Sequence, residues 1–180
     1  MGMVKNIVLT GFMGTGKTEV GRVLAQRLGY VLIDVDEEIE KEQKIKIADI
    51  FSRYGELSFR DIESIMIKKL AQLNRVVIST GGGAVLRQEN IDCLRAKGII
   101  VYLTASAETI FDRTKGSNDR PLLLVDDPLG KIKELLAFRQ PFYQKSDVAV
   151  DTEGKTPVEV AEEIIEKVRS AVSGTACRTI

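Results

Sequence analysis

Residues 11–18 read GFMGTGKT and satisfy the pattern G-x-x-x-x-G-K-[ST]. The apolar run Val4–Thr10 precedes this stretch, and the segment Lys17–Leu28 follows it with apolar residues at helical spacing. Glycines let successive backbone N–H groups turn toward one concavity, and a helix N-terminus adds a partial positive charge. We therefore predict a phosphate loop at residues 11–18, with Lys17 on the outer phosphates and the Thr18 hydroxyl as a magnesium ligand. A plain glycine turn is the alternative, and the flanking strand and helix count against it.

Short apolar runs rich in β-branched residues alternate with segments of helical period along the chain. This alternation is typical of an α/β protein with a parallel sheet and helices on both faces. Continuous apolarity suits strands that are buried on both sides. The predicted strands are Val4–Thr10, Val31–Asp34, Val76–Thr80, Ile99–Thr104 and Val148–Asp151. The predicted helices are Lys17–Leu28, Val35–Gln43, Glu56–Leu73, Arg87–Ala96, Ala105–Thr114, Pro128–Phe142 and Pro157–Val172.

The chain length of 180 residues predicts a single domain, since domains commonly have ~100–200 residues. A substrate-binding subdomain is expected around Val35–Asn74. The polar segment Lys115–Asp127 is a candidate lid, because its Gly, Ser, Asn and Pro residues favour a loop. The last eight residues, Ser173–Ile180, lack periodicity and are expected to fray.

The overall composition excludes several classes of function. The 26 Lys and Arg residues balance the 26 Asp and Glu residues, so no overall field attracts nucleic acid or an anionic membrane. Histidine is absent from the sequence, which excludes a Ser-His-Asp triad, a Cys-His pair and a His-ligated zinc site. Cys93 and Cys177 form no CxxC pair, and no apolar stretch suggests a signal peptide or membrane span. We expect a cytoplasmic protein whose partners are small molecules.

Two carboxylates follow the second predicted strand, in the stretch Asp34-Val35-Asp36. The carboxyl edge of the sheet is where open α/β proteins bind ligands. A spacing of two residues on extended chain points both side chains the same way. One carboxylate could hold a magnesium-bound water, and the other could accept a proton from an attacking hydroxyl. The alternative is that Asp36 only caps the helix that follows.

Glycines and arginines supply the remaining candidate groups. The third predicted strand runs into Gly81–Gly83, where missing side chains allow a close approach to the backbone, although a flexible turn is the alternative. Arg60 lies one helical turn before Glu63, off the apolar stripe formed by Phe59, Ile62, Ile65, Met66 and Leu70. That carboxylate could fix the guanidinium, or the two could form an ordinary solvated pair. Arg120 lies in the candidate lid, and Arg139 precedes Gln140-Pro141-Phe142-Tyr143.

A phosphate loop alone does not separate GTPases, motor ATPases and small-molecule kinases. The absence of an N/T-K-x-D tetrad counts against a GTPase, and the short chain favours a small acceptor. The ordered motifs together resemble the shikimate kinase family over Asn6 to Val168, most of the chain. They are GFMGxGKT, Asp34-x-Asp36, Phe59-Arg60-x-x-Glu63, Gly81–Gly83, Arg120-Pro121-Leu122-Leu123 and Arg139-x-Pro141-x-Tyr143.

The resemblance implies a nucleoside-monophosphate-kinase-like fold and a monomer that transfers the ATP γ-phosphate to the 3-hydroxyl of shikimate, on the pathway to chorismate and the aromatic amino acids. The implied ATP-binding residues are Gly14, Thr15, Gly16, Lys17, Thr18, Glu19, Arg113, Arg120 and Pro157, with Arg113 and Pro157 around the adenine. The implied shikimate-binding residues are Asp36, Arg60, Gly81, Gly82, Gly83 and Arg139. Lys17, Asp36 and Arg120 are the implied catalytic residues, and Thr18 with Asp34, through water, is the implied Mg²⁺ site. The segment after Tyr143 and the lid depart from the family pattern.

Two alternatives stay open at this stage. Another small-metabolite kinase, for gluconate or a nucleoside monophosphate, would share the phosphate loop, and an anionic polyol acid would also need arginines and an aspartate. A nucleotide-binding regulatory module would need neither Asp36 nor Arg139. The balanced net charge is expected to conceal a local excess of cations, since Lys17, Arg113 and the three arginines at 60, 120 and 139 would converge on one anionic ternary complex.

Overall fold

The computed structural model describes residues 5–116, 121–123 and 125–175. Its sheet contains five strands, and every neighbouring pair runs parallel in the order β2-β3-β1-β4-β5. The strands are β1 Asn6–Thr10, β2 Val31–Asp34, β3 Val76–Ser79, β4 Gly98–Thr104 and β5 Val148–Asp151. The predicted α/β class with a five-stranded parallel sheet is confirmed. Because β1 lies at the centre, the phosphate loop leaves the middle of the sheet at its carboxyl edge.

Seven helices connect and cover the strands within the described ranges. They are α1 Lys17–Leu28, α2 Val35–Gln43, α3 Ile47–Leu70, α4 Gln88–Lys97, α5 Ala107–Thr114, α6 Pro128–Tyr143 and α7 Pro157–Thr175. Short 3-10 turns occupy Ala84–Leu86 and Pro121–Leu123. Helix α7 extends past the predicted end at Val172, and the rest of the predicted frayed tail lies outside the described residues.

The beginning of α3 is the main difference from the predicted elements. The sequence predicts a helix from Glu56, whereas α3 begins at Ile47 and contains a kink at Gly55. Gly55 has φ 78° and ψ 170°, a conformation that glycine adopts without the steric penalty of a Cβ atom. The glycine masks the helical period of residues 47–54, and this segment turns out to line the functional site.

Both faces of the central strands are buried, and successive side chains of each strand point to opposite faces of the sheet. One face carries Val8, Ile78 and Ile100 and packs on α2, α3 and α4. The other face carries Leu9 and Val101 and packs on α1 and α7. A smaller cluster around Phe12, Ala107, Ile110 and Ile132 joins the phosphate loop to α5 and α6. The phosphate loop is therefore anchored in the core at its base.

Two predictions about burial are wrong. The edge strands β2 and β5 are not buried on both sides: Val31 is 64% exposed, and β5 alternates between buried and exposed positions. In α3 the buried face is rotated from the predicted stripe, so that Ile65 is exposed and Ile67 is fully buried. The rotation brings polar residues of this helix inward, because the helix packs on a polar site as well as on the core.

Within the described residues, no helix has both the length and the apolarity needed to cross a membrane. Cys93 is a half-buried free thiol, and Cys177 lies outside the described residues. Of the predicted lid, residues 117–120 and 124 also lie outside them, including Arg120.

Candidate active site

A cavity of about 900 Å³ opens at the carboxyl ends of β1, β2 and β3. Such a position is where open α/β sheets bind ligands. The predicted residues that line it are Gly14, Gly16, Lys17, Thr18, Glu19, Asp34, Asp36, Arg60, Gly81, Gly82, Gly83, Arg113 and Arg139. Thr15 and Pro157 are described residues outside the lining. The structure thus brings most of the predicted nucleotide and substrate groups into one space.

The phosphate loop has a backbone that requires glycine at its turns. Gly14 has φ 77° and Gly16 has φ 87°, and a Cβ atom on Gly14 would lie 2.8 Å from the Thr114 Cγ2. Thr15 is buried, and its hydroxyl donates to the Phe12 carbonyl at 2.8 Å, so its side chain shapes the loop from inside. A side-chain contact of Thr15 with ATP is therefore not supported, and its predicted role stays a prediction.

The Lys17 ammonium is held over the phosphate loop. Its Nζ donates to the carbonyls of Gly11 at 2.9 Å and Phe12 at 2.8 Å. Lys17 is also the first residue of α1, whose first amide groups have no partner within the helix. An ammonium and a helix N-terminus at the same point form a site for phosphate groups.

Thr18, Asp34 and Ser79 form a cluster of oxygen atoms at the edge of this loop. The Thr18 and Ser79 hydroxyls donate to Asp34 Oδ2 at 3.2 and 3.0 Å. The other carboxylate oxygen of Asp34 accepts the amides of Asp36 at 3.0 Å and Glu37 at 3.4 Å. Asp34 is therefore both the N-cap of α2 and the partner of Thr18. Ser79 was missed by sequence reasoning, although the parallel register places it directly opposite Asp34.

Asp36 lies in the first turn of α2 and not on extended chain. Strand β2 ends at Asp34, so the predicted alignment of the two carboxylates through an extended spacing is wrong. The alternative that Asp36 is the cap is also wrong, because Asp34 fills that position. Asp36 still lines the cavity, and its Oδ1 lies 3.0 Å from where a Cβ atom of Gly81 would be. The first turn of α2 thus places the Asp36 carboxylate beside residues Gly81–Gly83, which we call the glycine turn.

Arg60 and Glu63 form a buried ion pair. Arg60 is 7% exposed and its Nη1 donates to Glu63 Oε2 at 2.8 Å, while Nη2 donates to Glu56 at 3.0 Å. The alternative of a solvated pair is wrong, because the rotation of α3 carries both residues into the cavity wall. Burial alone would lower the pKa of Arg60, but Glu63 and Glu56 outweigh it and raise that pKa. Burial raises the pKa of Glu63, against the opposing charges of Arg60, Arg139 and Arg87. Arg60 stays charged, so Glu63 is the member that takes up a proton as the pH falls.

Arg139 approaches the same region from α6. It is 3% exposed, and its Cζ lies 5.4 Å from the centre of the Phe12 ring, within the range of a cation–π contact. Its Nε has no hydrogen-bond partner among the residues that the structure describes, and neither has Glu63 Oε1. Buried donors and acceptors are nearly always paired, so both atoms indicate a place where a polar ligand is received.

The glycine turn is shaped by the charged side chains around it. A Cβ atom would lie 2.7 Å from Glu63 Oε1 at Gly81, 3.3 Å from Arg139 Nη1 at Gly82, and 2.3 Å from Arg60 Nη2 at Gly83. Each glycine therefore makes room for a different charged group. The close approach predicted from the sequence is confirmed, and a merely flexible turn does not explain it.

At the other end of the cavity, Arg113 joins the phosphate loop to the segment before α7. It donates to the Gly14 carbonyl at 3.2 Å and to the Thr152 hydroxyl and carbonyl at 3.0 and 3.1 Å. Pro157 begins α7 a few residues after Thr152 and is exposed. Arg113 is thus bonded to the segment that leads to Pro157, the other predicted adenine partner.

An apolar wall of the cavity was also missed by sequence reasoning. Ile47, Ala48 and Phe51 come from the start of α3, and Phe59 comes from after its kink. Ile47 and Phe51 have a helical spacing of four residues, but Gly55 separates this pair from the helical pattern that begins at Glu56. Glu40 anchors this segment by accepting the Ile47 amide at 3.0 Å. The cavity therefore offers an apolar surface beside its arginines.

Comparison with known proteins agrees with this arrangement. Residues 13–169 match the family model described as shikimate kinase. A shikimate kinase of Thermodesulfovibrio yellowstonii is 53% identical over 171 residues, 95% of this chain and 99% of that protein. One from Caldicellulosiruptor saccharolyticus is 48% identical over 162 residues, 90% of this chain and 94% of that protein.

Solved structures give the same result. A shikimate kinase from Acinetobacter baumannii, in complex with shikimate, has a TM-score of 0.90 at 37% identity and covers 93% of this chain and 94% of that one. A gluconokinase from Sinorhizobium meliloti has a TM-score of 0.63 at 20% identity, covering 98% of both chains, and shares the fold alone. Sequence, fold and cavity lining agree on a single assignment: the chain belongs to the shikimate kinase family.

Proposed function

We propose that the protein transfers the γ-phosphoryl group of ATP to the 3-hydroxyl of shikimate. The observation that carries this proposal is the pair of buried arginines, Arg60 and Arg139, in one cavity with the phosphate loop. The planar fork of arginine meets a carboxylate through two parallel hydrogen bonds. A small carboxylic acid with a hydroxyl to be phosphorylated fits this combination, and a neutral acceptor would leave the arginines without an anion.

The ring and hydroxyls of such a substrate find complementary surfaces. Ile47, Phe51 and Phe59 offer an apolar wall for a six-membered carbon ring. Asp36 and the glycine turn line the same cavity, with Gly82 beside the phosphate loop, and they can bind hydroxyl groups. The structurally similar protein from Acinetobacter baumannii was solved with shikimate, which supports the same ligand here.

The residues at the edge of the phosphate loop fit Mg²⁺. This ion prefers oxygen ligands and is commonly held by one or two protein groups together with substrate phosphates and water. Thr18 Oγ1 and Asp34 Oδ2, which lie 3.2 Å apart, provide such a pair. We propose that Thr18 and, through water, Asp34 hold the ion, which when bound neutralises charge on the phosphate oxygens.

In the proposed reaction, the 3-hydroxyl oxygen attacks the γ-phosphorus as the bond to the β-phosphate oxygen breaks, and ADP leaves. Asp36 accepts the hydroxyl proton. Lys17 compensates the charge that develops on the transferring group, and Arg120 is proposed to do the same from the lid. Arg60 and Arg139 fix the carboxylate of the substrate, so that the hydroxyl is held in line with the phosphate.

A coupled assay of ADP release tests this proposal. Purified protein with ATP and Mg²⁺ should form ADP on addition of shikimate, and not on addition of gluconate or a nucleoside monophosphate. Absence of shikimate-dependent ADP in folded protein would overturn the assignment, and a preference for either other acceptor would replace it. We further propose that residues 35–74 form the substrate-binding subdomain and residues 115–127 the lid. We also propose that the protein is a cytoplasmic monomer, and sedimentation measures its mass in solution.

A further inference from the structure

Tyr143, at the end of α6, has a buried hydroxyl with a specific partner. The residue is fully buried, and its hydroxyl donates to the Gly82 carbonyl at 2.6 Å. Its ring stacks on Tyr102, with centroids 4.7 Å apart and an interplanar angle of 11°. Burial raises the pKa of Tyr143 well above its ordinary value, so the hydroxyl remains a hydrogen-bond donor at any working pH. The reaction described above assigns this donor no task.

The Gly82 peptide lies close to both Arg139 and the phosphate loop. A Cβ atom on Gly82 would be 3.3 Å from Arg139 Nη1, 3.4 Å from the Gly11 carbonyl and 3.5 Å from the Met13 amide. Gly82 therefore packs close to both the guanidinium and the backbone of the phosphate loop. A rotation of this peptide would therefore change its packing against both neighbours.

Tyr143 also lies one helical turn after Arg139, on the same face of α6. Arg139 acts electrostatically on the Tyr143 hydroxyl, and both residues are buried. The exposed Pro141 lies between them on the outer face of the helix. One face of α6 thus carries both Arg139, whose guanidinium lines the cavity, and Tyr143, whose hydroxyl binds the Gly82 peptide. Arg139 packs beside that same peptide.

We propose that Tyr143 is a positioning residue that fixes the Gly82 carbonyl, and through it the placement of Arg139, for recognition of the substrate carboxylate. The proposal rests on the proposed shikimate kinase activity. Removal of the hydroxyl would leave the half-buried Gly82 carbonyl without its donor, and the peptide would turn to seek another. Arg139 would then lose the surface that holds its fork in place.

The test is Tyr143→Phe, which keeps the stacked ring and removes only the hydroxyl. Tyr102→Phe is the matched control, because the Tyr102 hydroxyl has no hydrogen-bond partner among the described residues although its ring belongs to the same stack. We expect Tyr143→Phe to raise the KM for shikimate roughly 5- to 30-fold, the size expected when one partly buried acceptor loses its donor, and to leave the KM for ATP unchanged. Tyr102→Phe should change neither constant.

A double-mutant cycle with Arg139→Ala separates positioning from general core stability. If Tyr143 acts through Arg139, the Tyr143→Phe change should raise the shikimate KM much less when Arg139 is already alanine. A purely structural role would instead lower the unfolding temperature and leave the shikimate KM of the folded protein unaltered. That result, or a fully additive cycle, would overturn the proposal.

Amide hydrogen exchange of the segment containing Gly82 gives a readout that does not require turnover. Exchange in this segment should be faster in Tyr143→Phe than in the wild type and in Tyr102→Phe. If the wild type forms no ADP with shikimate, the proposed function fails, while the exchange rates still decide whether Tyr143 holds the turn. Equal exchange in all three proteins would refute its positioning role.

Discussion

Replacement of Gly83 by alanine should displace Arg60 without straining the backbone. Gly83 has φ −100° and ψ −3°, a conformation open to any residue. The added Cβ would lie 2.3 Å from Arg60 Nη2 and 2.4 Å from its Cζ. Non-bonded carbon atoms rest at ~3.5–4.0 Å, so the guanidinium must shift by roughly 1 Å or more. Because Arg60 is 7% exposed and bonded to Glu63 at 2.8 Å, it cannot make this shift and keep its present contacts.

The size of the effect follows from the contact that is lost. A hydrogen bond to a charged group contributes about 1.5–3 kcal/mol. Since ~1.4 kcal/mol corresponds to a factor of ten, the KM for shikimate should rise about 10- to 150-fold. The KM for ATP should stay near the wild-type value, because the Gly83 Cβ would meet Arg60 and not the phosphate loop.

The assay is the shikimate dependence of ADP release by Gly83→Ala, with thermal unfolding as the check of folding. Arg60→Lys provides the matched background, since its ammonium ends before the fork that the new methyl group would meet. On that background, Gly83→Ala should have little further effect. A folded Gly83→Ala protein with a wild-type shikimate KM would refute the reasoning, as would an equal loss on both backgrounds.

Three further predictions concern the chemistry of the site. Asp36→Asn should lower kcat about 10²- to 10⁴-fold with ATP binding retained in calorimetry, and unchanged turnover would exclude Asp36 as proton acceptor. Thr18→Val should raise the Mg²⁺ concentration needed for half-maximal rate, and an unaltered Mg²⁺ dependence would contradict its place in the metal site. Because burial raises the pKa of Glu63, its proton is taken up at a higher pH than that of an exposed glutamate, so the shikimate KM should rise on acidification in the wild type and not in Glu63→Gln. Because the pKa of Glu63 is raised on folding, its contribution to the free energy of unfolding is fully present below the unfolded pKa of 4.5 and is lost as the pH rises through the folded pKa. The free energy of unfolding should therefore fall with rising pH over this range in the wild type, and this pH dependence should be absent in Glu63→Gln.

The sequence was sufficient for those parts of the fold that depend on local pattern. The phosphate loop, α1, α2 and the order of strands and helices follow from glycine spacing and apolar period, which act over a few residues. The beginning of α3 did not follow, because Gly55 interrupts the helical period, and tertiary packing continues the helix on both sides of the kink. The apolar wall that this segment supplies was lost from the predicted site for the same reason.

Long-range placement explains the remaining differences at the site. The sequence leaves open whether Glu63 fixes Arg60 or the two form a solvated pair, and the packing of α3 against the glycine turn is what buries them. The position of Ser79 opposite Asp34 depends on the pairing of β3 with β2, and the sequence alone does not show which strand lies beside β2. Tyr143 contacts a carbonyl 61 residues away, and its own helix carries no local sign of that partner.

The expected local excess of cations in the cavity is wrong for the residues that the structure describes. Among the described lining residues, five are cationic and six are acidic, so no such excess exists there. The charges are instead segregated by task. Glu63 holds Arg60 and Asp34 holds Thr18, while the arginines and Lys17 lie where the proposed substrates would place their anionic groups. Recognition in such a site depends on donors that are oriented before the ligand arrives, because a balanced set of charges creates little net field to attract an anion. This is why a displacement of roughly 1 Å at Gly83, or the loss of one hydroxyl at Tyr143, is expected to change substrate affinity although neither alters the charge of the protein.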